Sequence, residues 1–301
     1  MPNTFTFRPG GATDIEAVRE LCQDVWGGHD YLPYVWVEWT QDPTNQLFVL
    51  ENEGAMAGFY CLSLQIGQTH RMGWIKGVRV ATTFKRQGLA GQMLAHALAQ
   101  SRAHSLDRVR YGTNETNIPM HTLADRYGFK LLANYSYLLA PLLEPTTSKL
   151  PTPTARLLQP AELEAAWSFI HAAPSWRTGH GLQCVHWNWQ DLGKSELANL
   201  LAQAQVWSYF DGGTIAALAF AYPVEDEPLF VGWLDGETQA VKLLAQYLQL
   251  RVSSNKNKAS LQKHALELML VSEDSRDKVL QEMGFELDPN DYMRVYEAII
   301  D

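Results

Sequence analysis

The residues best suited to chemistry run from Val78 to Gly91: Val78-Arg79-Val80-Ala81-Thr82-Thr83-Phe84-Lys85-Arg86-Gln87-Gly88-Leu89-Ala90-Gly91. A β-branched run enters a cationic, glycine-bearing turn, and an apolar-faced helix is predicted directly after it. A strand, a turn and a helix N-terminus in that order aim several backbone N–H groups at one place. Such a concentration of donors suits a diphosphate. Gly88 and Ala90 keep the approach clear of side chains.

Two similar halves must position this turn. Each opens with a short strand, Phe5–Arg8 and Ala155–Leu158, and then enters a helix. Thr13 followed by Glu16 reads as a capping box for the first helix, and Pro160 suits a first helical position in the second. A hairpin follows in each half. Leu47–Leu50 and Gly58–Leu64 flank Glu51-Asn52-Glu53-Gly54, and Val206–Phe210 and Ile215–Ala221 flank Asp211-Gly212-Gly213. Long helices are predicted at Gln87–His104 and Thr238–Val252. Each half then shows a strand, a short helix, a Gly-Phe pair (Gly128-Phe129, Gly284-Phe285) and a closing strand at Ser136–Ala140 or Met293–Ile299. The passage Gln87–Thr113 predicts a right-handed parallel crossover, and the hairpins predict antiparallel pairing elsewhere. The Pro/Thr/Ser-rich stretch from Pro141 to Thr154 reads as a linker.

The bulk numbers agree with this plan. The chain has 301 residues, 46% hydrophobic and 19% charged, which is room for two ordinary domains. No apolar run is long enough to span a bilayer, and Met1–Gly11 has no signal-peptide core, so a cytoplasmic protein without membrane association is expected. Three widely spaced cysteines, Cys22, Cys61 and Cys184, fit a reducing compartment and read as buried hydrophobes. The first 150 residues carry 13 Lys/Arg and 13 Asp/Glu, so the whole net charge of −9 falls in the second half. A polyphosphate ligand is therefore expected in the first half, and the lack of a basic stripe argues against nucleic acid as a partner.

On these residues the chain resembles the GCN5-related N-acetyltransferase (GNAT) family. The family signature is Gln or Arg, two residues, Gly, one residue, then Gly or Ala; here Lys85, Gly88 and Ala90 hold those places. After the next strand the family shows Asn, an alternating apolar helix and Gly-Phe. Asn117, Met120, Leu123, Gly128 and Phe129 fall there. The resemblance spans nearly all of residues 1–140 and continues over 155–301 as a degenerate echo. It implies an α/β (α+β) fold of tandem GNAT-like domains, each a mixed, mostly antiparallel sheet with flanking helices. Residues 1–140 would be the catalytic domain, 141–154 the linker, and 155–301 a GNAT-like domain without a coenzyme loop. Asp24–Pro33, Gln41-Asp42-Pro43 and Gly77–Ala81 further resemble histidine N-acetyltransferase-like proteins.

The resemblance implies transfer of an acetyl group from acetyl-CoA, a co-substrate, to the primary amine of a small molecule such as the α-amine of histidine or a similar amino acid. No metal is implied. A peptide N-terminus, a polyamine or an antibiotic amine is the alternative acceptor. A non-catalytic acyl-CoA-binding module is the alternative of another class, and the oligomeric state is left open. The phosphate cradle falls to Lys85, Arg86, Gln87, Gly88, Leu89, Ala90 and Gly91. Val78, Arg79 and Val80 would pair with the pantetheine arm, which the Asn117 side chain would also bond, unless Asn117 merely caps its helix. The Val80 N–H would stabilise the oxyanion of the tetrahedral intermediate.

The chain departs from the family where proton transfer is concerned. A family Tyr on the short helix is replaced by Ala124, with Tyr127 three residues on, and a family Glu region holds Trp74 and Lys76. Asp30, Tyr31 and Glu115 become the catalytic candidates, with Glu38 and His29 beside them. Asp30 reads first as a loop or cap residue, with a base or a partner for the substrate ammonium as the alternatives. Tyr31, Tyr34, Trp36 and Trp39 read as core or as pocket lining. In the second half, Phe230–Thr238 lacks a basic turn, and Asp235 and Glu237 would repel phosphates, so no coenzyme is expected there. His180, His186, Trp187 and Trp189 read as packing rather than as a metal site.

Overall fold

The computed structural model describes residues 4–66, 71–143, 155–223, 227–254, 264–287 and 292–300. The chain forms two compact units: unit 1 is Met1–Gly112, Asn117–Lys130 and Tyr296–Asp301, and unit 2 is Thr113–Thr116 and Leu131–Val295.

In unit 1, strands β1 (Phe5–Pro9), β2 (Asn45–Asn52), β3 (Ala55–Ile66) and β4 (Arg71–Val80) pair successively antiparallel, and β5 (Arg108–Asn114) runs parallel to β4. The mixed, mostly antiparallel sheet and the crossover are as the sequence predicts. The β2–β3 turn is tighter than expected, with only Glu53 and Gly54 between the strands, both at positive φ. Side chains of β3 alternate between two cores. Phe59 and Cys61 pack under helices α1 (Ile15–Cys22) and α2 (Leu32–Gln41), with Val18, Leu32 and Trp36. Tyr60 and Leu62 face α3 (Leu89–Ala103) and α4 (Ile118–Arg126), with Met93, Ala97 and Ala124.

Unit 2 repeats the plan. Its described strands are β6 (Lys130–Pro141), β7 (Ala155–Leu157), the hairpin β8 (Leu182–Val185) and β9 (Asn188–Asp191), β10 (Val206–Asp211), β11 (Thr214–Tyr222), β12 (Leu229–Gly236), β13 (His264–Val271), β14 (Glu286–Leu287) and the start of β15 (Met293–Ile299). Its helices are α5 (Leu163–Ala172), α6 (Pro174–Thr178), α7 (Lys194–Ala202), α8 (Thr238–Ser253) and α9 (Asp274–Glu282). The strands run in the order β7-β10-β11-β12-β13-β6, antiparallel except for the parallel β12–β13 pair. Val241, Leu244, Ala245 and Leu248 of α8 pack on Ala217, Ala219, Leu266 and Leu268.

One local device recurs in both units. Arg8 of β1 grips Asp14 with both terminal nitrogens (2.9 and 2.7 Å), while Asp14 accepts the Gly11 N–H at 2.8 Å. Arg156 of β7 grips Glu162 (2.8 and 2.7 Å), which accepts the Gln159 N–H at 2.8 Å. Asp14, not the Thr13/Glu16 pair, therefore secures the entrance to α1, because the guanidinium six residues back selects it; Glu16 instead pairs with Arg19. Pro160 opens a short 3-10 turn ahead of α5.

The division at 140 and 155 expected from the sequence differs from the units observed. Strand β6 pairs with β13 from His264–Pro141 to Val271–Tyr135, which places it in unit 2, while Tyr296–Asp301 belongs to unit 1. Tyr296 stacks on Tyr111 at 5.3 Å, and Glu297 accepts from Arg110 Nε at 2.7 Å. The two closing strands are exchanged relative to sequence order. Residues 144–154, most of the expected linker, lie outside the described residues.

Candidate active site

The parallel ladder between β4 and β5 runs from Met72–Arg108 to Ile75–Tyr111 and stops there. Beyond it, β4 carries one extra residue between Lys76 and Arg79 relative to β3, a bulge at Gly77–Val78. Gly77 takes φ +63, and a Cβ there would press on Leu32 and Trp39 of α2 at 3.1 Å. The bulge turns β4 away from β5, and among the described residues the β4–β5 ladder does not extend past Ile75. Successive strand amides point to opposite edges. The Ala81 N–H is committed to Ala57 O on β3 (2.9 Å), so the Val80 N–H faces the gap.

The loop after β4 closes with bonds from Phe84 N to Ala81 O (2.9 Å) and from Lys85 N to Thr82 O (3.4 Å). Arg86 (φ +63) and Gly88 (φ +77) then turn the chain into α3 through left-handed backbone. The first intrahelical bond is Gln92 N to Gly88 O at 3.1 Å, and no side chain caps the helix. The amides of Leu89, Ala90 and Gly91 precede that bond, so they lead out of the helix N-terminus beside the cationic Lys85 and Arg86. A Cβ on Gly88 would meet nothing within 4 Å. On the flank, the Tyr127 hydroxyl approaches Gly91, 3.0 Å from where a Cβ would sit. Tyr127 is thus aimed at the first turn of α3, and Ala124 is buried.

Asn117 stands at the N-cap position of α4, yet its side chain makes no capping bond; its carbonyl takes the Met120 N–H (3.0 Å) and the His121 N–H (3.3 Å) instead. The capping role is thereby set aside. His121 is not among the residues singled out from the sequence; its Nδ1 lies 2.9 Å from the Tyr296 hydroxyl. Its helical spacing from Asn117 was the available signal, but the partner is 175 residues away.

The carboxylate candidates are committed elsewhere. Asp30 is buried; its two oxygens receive Arg79 Nε (2.7 Å) and Nη2 (3.1 Å), and Oδ1 also accepts the Leu32 N–H (3.2 Å). It ties the start of α2 to Arg79, and both of its oxygens accept hydrogen bonds within the unit. Asp30 also lines a cavity of ≈ 210 Å³ with Arg19, Cys22, Pro33 and Tyr34. Glu115 pairs with Arg294 at 2.6 Å within unit 2. Tyr31 packs edge-on to Trp39, ring centroids 6.2 Å apart, and desolvation raises the pKa of its hydroxyl. The aromatic run divides: Trp36 is core, bonded to Gly11 O, whereas Tyr34 is exposed and Tyr31 and Trp39 line the α2 side. Cys22, Cys61 and Cys184 are buried and unbridged, and burial pushes the first two thiols up to about 12. None of the three suits a nucleophile.

Unit 2 contains the corresponding gap, closed. The β12–β13 ladder stops at Val231–Leu268, next to a bulge at Gly232. Three residues further along each strand, the buried guanidinium of Arg276 on α9 donates to Leu234 O (3.0 Å) and to Val271 O, joining the two strands. No loop follows β12; Glu237 alone separates it from α8. The nearby amides are used internally, Gly236 N–H by Asp235 (2.6 Å) and Glu237 N–H by Ala216 O (2.9 Å). The β8–β9 hairpin packs so closely over β12 that a Cβ on Gly232 would collide with the Cys184 carbonyl. His186 packs against Phe230, Trp187 against Tyr137 and Trp189 against Tyr135, and no metal-binding cluster occurs among the described residues. Nor is any described helix long and apolar enough to cross a membrane.

Comparison with known proteins gives this geometry a family. Residues 15–129 match the Acetyltransferase (GNAT) family. A GCN5-related N-acetyltransferase from Sphaerobacter thermophilus superposes with TM-score 0.67 at 14% identity, over 100% of this chain and 97% of that one. A tandem GNAT protein from the clavulanic acid biosynthesis pathway superposes with TM-score 0.60 at 15% identity, over 99% of both chains. A histidine N-acetyltransferase from Oreochromis niloticus is 28% identical over 82 residues, 27% of this chain and 23% of that protein. The chain thus spans about a quarter of that curated relative. The family match covers residues 15–129 of the 301, and the fold of the whole chain is that of GNAT proteins, with tandem GNAT-like units.

Proposed function

From the GNAT-family match and the open gap of unit 1, we propose that the chain is an acetyl-CoA-dependent N-acetyltransferase. The acceptor is the primary amine of a small molecule, with the α-amine of histidine or a similar amino acid as the favoured class. The observation that carries this reading is the end of the β4–β5 ladder at Ile75–Tyr111, with β4 then leading through a left-handed turn into the N-terminus of α3, which no side chain caps. The diphosphate sits on the amides from Arg86 to Gly91, with Lys85 and Arg86 supplying positive charge. The pantetheine arm lies along Val78–Val80, within reach of Asn117.

The amine attacks the thioester carbonyl, forming the C–N bond and a tetrahedral oxyanion; its collapse restores the carbonyl, breaks the C–S bond and releases the thiolate. The Val80 N–H stabilises the oxyanion, a contribution of roughly 3 kcal/mol for one such donor. With Asp30 and Glu115 held in ion pairs, the ammonium loses its proton through water, and a thiolate leaves without obligatory protonation. Unit 2 takes no coenzyme in this reading. Arg276 occupies its gap, and no amide-lined loop follows β12. The likeness to a histidine N-acetyltransferase over 82 residues supports an amino-acid acceptor.

A second reading, a non-catalytic acyl-CoA-binding module, is favoured by Ala124 and by the two committed carboxylates. A thiol-release assay with acetyl-CoA across amino acids, polyamines and a peptide separates the readings. Release with small amino acids is the expected result. Acetyl-CoA binding without release on any amine would leave the module.

A further inference from the structure

Lys76 is the first residue of β4 beyond the parallel ladder. It lies opposite Cys61 in the antiparallel register, and Cys61 belongs to the core under α1 and α2, so Lys76 projects to that face. Its Nζ stands 4.1 Å from the Trp39 ring centroid. The side chain is half-buried, and burial draws its pKa below the ordinary lysine value. Arg79, on the same face, has its charge met by Asp30. Lys76 has no such partner: among the described residues it makes no ion pair. Asp42 and Glu38 act on it only from a distance. The Asp42 oxygens accept from the Thr44 N–H and hydroxyl and from Asn45 Nδ2, and Glu38 is exposed.

A half-buried ammonium without a contact carboxylate gives up hydration, and an aromatic face compensates only part of it. An anionic group arriving on this face would complete its shell. We propose that Lys76 is the anchor for the carboxylate of the acceptor, which makes the acceptor class an amine that carries its own carboxylate. The inference rests on the acetyl-transfer reading above. A carboxylate on Lys76 holds an α-amine two bonds away, at the mouth of the gap. A polyamine would instead bring like charge toward Lys76 and Arg79.

The test compares L-amino acids with their primary amides, which keep the side chain and the α-amine but lose the carboxylate. Initial rates of thiol release are measured on the wild-type chain and on Lys76→Met and Lys76→Arg. Calorimetric binding of the same compounds to the CoA-loaded protein is measured in parallel. Wild type is expected to favour the acid at least ~10-fold in kcat/KM. Lys76→Met should lose that preference through KM, with acetyl-CoA affinity and thermal midpoint unchanged, and Lys76→Arg should keep part of it. Equal turnover of acid and amide by wild type would overturn the anchor and leave the transferase reading standing. So would a fall in kcat of Lys76→Met with unchanged KM and a displaced pH profile, which would make Lys76 a proton carrier. Lys76-dependent binding of the acid without turnover would uphold the anchor and refute the transferase. Neither turnover nor binding would refute both.

Discussion

In unit 1 the parallel ladder opens after Ile75 and Tyr111; in unit 2 it opens after Val231 and Leu268, and in both a glycine-bearing bulge lies at the break. The sequels differ. The first gap leads to the loop Ala81–Gly88 and an uncapped helix, with the Val80 amide facing the opening. The second is crossed by Arg276, and its neighbouring amides are bonded to Asp235 and Ala216. One architecture thus ends its parallel ladder before a loop and helix in one unit and bridges the same break with its own side chain in the other. The charge balance agrees, since the whole excess of negative charge lies in the second half of the sequence. Shared topology alone does not make two units equivalent; the loop after the strand and its glycine distinguish unit 1, where the coenzyme is proposed to bind.

The comparison breaks most completely at the C-terminus. Ending the chain at Val295 removes Tyr296, with its stack on Tyr111 and its bond to His121, and it removes the Glu297 partner of buried Arg110. The expected outcome is loss of folded unit 1 and of all acetyl-CoA binding, read by circular dichroism and calorimetry, although every residue of the coenzyme loop is still present. A truncated chain that binds normally would show that the final strand is dispensable to unit 1.

A smaller effect is expected at Arg276. Arg276→Met leaves the Leu234 and Val271 carbonyls unpaired and Asp277 without its neighbouring guanidinium at 3.4 Å. A stability loss of about 3 kcal/mol is expected from such an exposed set of buried polar groups. Denaturant unfolding monitored at unit 2 tryptophans would report it. The variant should gain no second acetyl-CoA site, because no loop follows β12 even when the guanidinium no longer fills the gap; a gained site would mean that the guanidinium alone separates the two units.

The strand, left-handed turn and helix of the proposed coenzyme corner were legible in the sequence because their signals are local. Left-handed backbone at Gly88, the helix after it and the crossover to β5 all follow from residues within one stretch. The two hairpins were legible for the same reason. What the sequence hid was long-range. Asp30 reaches Arg79 across 49 positions, and nothing in Asp24–Pro33 announces that its carboxylate is taken. The strand Ser136–Ala140 has the composition to close either unit, and only its pairing with β13 decides. The entrance to α1 was misread because Thr13 and Glu16 imitate a capping box. The matching triplets Arg8, Gly11, Asp14 and Arg156, Gln159, Glu162 were the available sign, visible once both halves are aligned on their first strands. Arg276 offered no local signal, since its partners are backbone carbonyls on two other strands.

The central claim, one coenzyme site per chain built on the amides after Phe84, is tested most directly by titrating acetyl-CoA calorimetrically into the wild-type chain and into Gly88→Val. The φ of +77 at Gly88 costs a branched residue roughly 1–2 kcal/mol, and its Cβ meets nothing in the fold, so the variant should stay folded while blocking the diphosphate. One site in the wild type, with affinity falling tenfold or more in the variant, is the expected result, a change of about 1.4 kcal/mol or greater. Two sites per chain, or equal affinity in the folded variant, would contradict the account.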